Sequence, residues 1–147
     1  MKNYEQALER LAMHTRTRAE YADEARRRAT DASVFTIDSY LIAALSQARE
    51  DERCFREDIG TTPPLHLAYA LSTEIKNWER LHEALGEFQA ADPLPHDVPA
   101  YVANVRHFLT YQLRLLDVQH ELFHSCLTEQ YITEIDAIKE RLDEVPL

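Results

Sequence analysis

Glycine occurs only twice in these 147 residues, at Gly60 and Gly86. A β-rich chain of this length needs a turn every few residues, and those turns draw heavily on glycine. Scarcity of glycine therefore points to long helices joined by few connections. With 45% hydrophobic and 29% charged residues, the chain is globular in composition. Its length suits a single domain, residues 1–147.

Hydrophobic spacing divides the chain into four amphipathic segments. The first runs from about Asn3 to Ala29, with Tyr4, Leu8, Leu11, Ala12, Thr15, Ala19 and Ala22 on one stripe. The second runs from about Ala32 to Ile59, along Val34, Ile37, Leu41, Leu45, Ala48, Phe55 and Ile59. Asp31 or Ser33 is suited to cap its start, and Gly60 to end it. The third begins at Thr62-Pro63-Pro64 and carries Leu67, Leu71, Ile75, Trp78, Leu85 and Phe88. The segment Asp92–His96 is the clearest break. The fourth starts near Asp97 and meets no breaker before Pro146. Its stripe passes through Val102, Val105, Leu109, Gln112, Leu116 and Phe123, then rotates to Ile135, Ile138 and Leu142. That helix either breaks near Ser125–Thr128, giving a short fifth helix, or outruns its neighbours. The expected fold is all-α, an up-down-up-down four-helix bundle with a long or broken C-terminal helix.

Charge narrows the partners. The formal net charge is −10. Residues up to Leu81 hold 12 basic and 14 acidic side chains, and those from His82 onward hold 4 and 12. An acidic surface repels phosphate backbones, which argues against nucleic acid. No apolar run has the length of a membrane span. The first residues, Met1 to Glu5, lack a signal-peptide core, so a cytoplasmic location is expected. Cys54 and Cys126 have no metal or redox spacing. The run Arg26-Arg27-Arg28 reads as a helix C-terminus, where cations oppose the dipole.

Polar residues within apolar stripes mark where a bundle does something unusual. Glu52 lies between Ala48 and Phe55, His82 between Trp78 and Leu85, and His120 between Leu116 and Phe123. Glu74 borders Leu71 and Trp78. Counting back from the turns puts Glu52, Glu74 and His120 at similar heights, with His124 or His66 within reach. Inward carboxylates and imidazoles from different helices are how bundles build metal sites. Otherwise such groups are satisfied by hydrogen bonds within the core.

One motif sharpens the metal reading. His120-Glu121-Leu122-Phe123-His124 is H-E-x-x-H, which sets two imidazoles on one helix face with a glutamate beside them. It resembles the zincin metalloprotease motif over those five residues, which would imply zinc held by His120 and His124 with Glu121 polarising a water. No third ligand or substrate-binding strand accompanies it. Glu79–His82 and Glu121–His124 are both E-x-x-H, similar to the pairs of the ferritin-like di-iron family. That family carries them on its second and fourth helices, whereas here they fall on the third and fourth, about three turns apart.

Tyr101, Phe108, Tyr111 and Tyr131 fall off the main stripe of the fourth segment. Such aromatics either anchor a protein interface or pack on another element. Two expectations of function follow. The first is a non-enzymatic interaction protein (an adaptor, immunity-type binder or regulator) whose acidic C-terminal half meets a basic protein surface. Homo-oligomerisation through the last helix accompanies it. The alternative is a metal-binding bundle holding zinc or iron with His120, His124, Glu52 and Glu121.

Overall fold

The computed structural model describes residues 2–58, 65–91 and 97–143, with side chains placed for 6–57, 67–91 and 97–126. Four helices form: α1 (Lys2–Arg28), α2 (Asp38–Asp58), α3 (Leu65–Ala90) and α4 (Val98–Asp143). No strand occurs among the described residues. The proposed signals at Gly60, Thr62 and Asp92–His96 lie outside them.

The join between α1 and α2 has neither glycine nor proline and is made by hydroxyls. Ser33 donates its Oγ–H to the Arg28 carbonyl at 2.6 Å, satisfying an orphan acceptor at the end of α1. The Ser33 amide donates to Thr30 O, and Thr36 donates backbone N–H and side-chain Oγ–H to Ser33 O. Short polar side chains thus offer the backbone an alternative to continuing the helix. A 3-10 turn, Val34–Ile37, then leads into α2. The expected Ser33 cap is replaced by this arrangement, since Ser33 makes no side-chain bond to the turn's amides. At α4 the expected cap forms. Asp97 Oδ1 accepts from the Ala100 amide at 3.3 Å, with Pro99 in the first turn, where its missing N–H costs no helical bond.

Helix pairing is cyclic: α1 on α2, α2 on α3, α3 on α4 and α4 on α1. Contacts across the α1–α2 seam run in opposite sequence order. Arg28 covers the Tyr40 ring while Arg18 reaches Asp51. His82 meets Asp38 while Arg18 and Gln119 meet Glu74. Leu11, Phe55, Leu71, Trp78, Leu109 and Phe123 fill the interior, each at most 2% exposed. Full burial of such side chains contributes about 1.5–3 kcal/mol apiece. Phe55 and Phe123 meet edge to face at 6.5 Å, and at the other end Tyr101 stacks on Phe88 at 3.8 Å.

The fourth helix does not break near Ser125–Thr128. Its 46 residues form one helix of roughly 70 Å, against 21 to 27 residues in the others. No separate fifth helix forms among the described residues. No described helix is long and apolar enough to cross a membrane.

Candidate functional site

The most concentrated chemistry lies inside the bundle, around Arg18. Thr15, Arg18 and Ala22 fall on one face of α1 at steps of three and four, and all three are buried. Arg18 is fully buried. Its guanidinium grips Glu74 of α3 by both oxygens, Nε to Oε2 at 2.6 Å and Nη2 to Oε1 at 3.0 Å. Nη1 donates to Asp51 Oδ2 of α2. Bidentate, charge-assisted geometry of this kind is the strongest form of hydrogen bonding available to a side chain. Removal from water disfavours the Arg18 charge, but Glu74 and Asp51 more than offset this, and its pKa lies above the ordinary arginine value.

Neutral donors complete the cluster. Trp78 Nε1–H donates to Glu74 Oε2 at 2.9 Å, and Gln119 Nε2 donates to Glu74 Oε1 at 3.0 Å and Thr15 Oγ1 at 3.2 Å. Thr15 in turn donates to the Leu11 carbonyl at 2.8 Å. One turn along, Gln112 donates to the Glu74 backbone carbonyl, and Asn77 donates to Gln112 Oε1. His14 sits at the half-exposed rim, with Nδ1 2.7 Å from Asp51 Oδ1. All four helices therefore contribute to one network. One guanidinium faces two carboxylates, and His14 meets Asp51 from the rim.

This is the location where other bundles place a metal, with inward carboxylates from two helices. Here the cation is covalently part of α1. The guanidinium is a poor proton donor, and its hydrogens are already directed to partners. The arrangement is suited to holding helices in register rather than to turning over a substrate.

The expected site residues fall elsewhere. Glu74 is inward, as its position between Leu71 and Trp78 implied. Glu52 does not turn inward; it pairs with Arg56 of its own helix at 3.2 Å, and Asp51 takes the interior position. His120 is half-buried at the edge of the α4 stripe, and Gln119 is the interior residue. Glu121 and His124 are exposed. His82 is half-exposed against Asp38 at 2.6 Å, and Glu79 pairs with Arg49 of α2 at 3.1 Å. His66 lies outside the described side chains. Among the described residues no three His, Cys, Asp or Glu side chains gather as a metal site.

Among the described residues, two grooves run along α4. One, about 650 Å³, lies between α1 and α4 and includes Arg26, Arg27, Arg106 and His107. Its α1 arginines are engaged, Arg26 with Asp23 at 2.6 Å and Arg27 with Glu24 at 2.7 Å. The second, about 230 Å³ and mostly apolar, lies between α3 and α4 beside Leu81, Ala84, Tyr101 and Phe108.

No protein-family model, curated protein or solved structure matches this chain.

Proposed function

We propose that this protein is a non-enzymatic helical-bundle interaction module whose acidic C-terminal half engages a partner with a basic surface. The observation that carries the reading is the length of α4. Phe123 packs on Phe55 near the end of α2, yet α4 continues as helix to Asp143. Beyond Cys126 the sequence supplies Glu129, Glu134, Asp136, Glu140, Asp143 and Glu144 against Lys139 and Arg141. Ile132, Ile135, Ile138 and Leu142 recur there at helical spacing. An amphipathic helix of this composition is a familiar recognition element, with charge steering the encounter and apolar anchors holding it.

The non-enzymatic part of the reading rests on the chemistry of the Arg18 cluster, whose guanidinium hydrogens are directed to Asp51, Glu74 and Thr15 inside the bundle. The concentrated polar groups are sealed in the core, and the grooves are lined by other residues. Affinity capture at graded salt tests the reading, comparing the natural chain with the triple variant Glu134→Gln, Glu140→Gln, Glu144→Gln. A partner held by the natural chain should be released as salt rises and be lost with the triple variant. Binding that is equal for both and indifferent to salt would overturn it.

A further inference from the structure

α4 carries a second apolar stripe that the bundle covers only in part. Phe108, Tyr111, Leu115, Val118 and Leu122 follow one another at steps of three, four, three and four, the spacing of a two-helix seam. Tyr111 is 61% exposed and Val118 51% exposed, and the other three are half-buried. The stripe lies beside the α3–α4 seam, the least extensive of the four. It runs directly into the apolar groove formed with Leu81, Ala84 and Tyr101. Isolated exposed apolar residues are ordinary, but a continuous heptad-spaced row on a rigid helix marks a contact surface.

The charges beside the row specify what covers it. On its solvent side stand Arg114 and Glu121, seven residues apart and both exposed. On its other side the equivalent positions are Gln112 and Gln119, already buried in this chain's own core. Only the Arg114–Glu121 edge is therefore free to pair across an interface. A second α4 laid antiparallel sets Leu115 against Val118 of the copy and Tyr111 against Leu122. The same register puts Arg114 opposite Glu121 of the copy, twice by symmetry. A parallel copy would instead direct these charges towards the buried glutamines. Flanking charges of this kind choose orientation and partner in paired helices.

We infer that the exposed α4 face is a homodimer surface, with two copies of this chain joined antiparallel through Tyr111, Leu115, Val118 and Leu122. It is independent of the basic-partner reading, which concerns the sequence beyond Cys126. Four apolar side chains per copy make a small interface, of the class below about 1,200 Å² that gives weak, exchanging complexes.

Sedimentation across micromolar to millimolar concentrations tests this on the full chain. The natural protein should move from monomer towards dimer mass, and Val118→Glu should hold it monomeric. Arg114→Glu and Glu121→Arg should each weaken the dimer by about tenfold, and the double exchange should restore it. All three positions are solvent-facing, so helical circular dichroism should be unchanged, confirming that the fold is intact. A natural chain that stays monomeric overturns the inference. So does a dimer indifferent to Val118→Glu, or one weakened by both single charge reversals but not restored by the double exchange.

Discussion

The Arg18 guanidinium holds both carboxylate oxygens of Glu74 while both side chains are fully removed from solvent. α1 and α3 are thereby tied through the centre of the bundle, across 56 residues of sequence. Asp51 shares the same guanidinium from α2. A buried ion pair contributes little net stability over apolar packing, but breaking it on one side leaves an uncompensated charge.

Arg18→Met leaves the buried carboxylates of Asp51 and Glu74 without their cation and should therefore destabilise the fold by about 3 kcal/mol, read as a lower denaturation midpoint in urea. Removing the charges together, as Arg18→Met with Asp51→Asn and Glu74→Gln, should recover at least half of that loss. A triple variant less stable than the single one would mean that the pair itself, and not its imbalance, holds the bundle.

Tyr101 keeps its ring stacked on Phe88 but buries a hydroxyl that has no hydrogen-bond partner among the described residues. Tyr101→Phe keeps the ring and removes the unpaired group, so it should be neutral or stabilise by about 1 kcal/mol. A clear loss of stability would show that the hydroxyl is satisfied in solution.

Burial also raises the Tyr101 pKa above its ordinary value of 10.0. The protonated phenol is favoured in the folded state, so this contribution is fully present below the unfolded value. It is lost as pH rises from there through the higher folded value. Thermal midpoints should fall in strongly alkaline buffer, and Tyr101→Phe should reduce the slope. Equal slopes would remove Tyr101 as the cause.

Asp97→Ala deletes the side-chain acceptor for the Ala100 amide. The expected cost is about 1 kcal/mol, with faster amide exchange confined to the first turn of α4. Unchanged exchange there would show that the cap contributes nothing.

Metal content separates the interaction reading from the metal alternative built on His120, His124, Glu52 and Glu121. Protein prepared without a histidine tag should carry no stoichiometric zinc or iron, and chelator should leave its thermal midpoint unchanged. Metal lost on His120→Ala would reverse that conclusion.

Much of the architecture was legible in spacing alone. Two glycines, three- and four-residue apolar steps and the Asp97–Pro99 start account for an all-helical chain and the start of α4. The end of α1 was harder to place, because serine and threonine hydroxyls stop it without glycine or proline. Within the core, the apolar periodicity holds, but at two places it fits two adjacent residues equally well. Between Ala48 and Phe55 both Asp51 and Glu52 satisfy helical steps, and between Leu116 and Phe123 both Gln119 and His120 do. Glu52 and His120 suggested metal chemistry; Asp51 and Gln119 are the residues inside. Arg18 satisfied the α1 stripe as well as Thr15 and Ala22 do, yet an arginine is not expected in a core.

By itself, then, the sequence determined helices, their number and most of their apolar faces, because these follow from local periodicity. Which polar residues enter the core was decided only by tertiary structure. A buried charge is tolerable only where opposite charges from other helices arrive at the same height, and no local pattern records that. Arg18 is internal because Asp51 and Glu74 meet it there, and the cation at the centre of this bundle is a guanidinium.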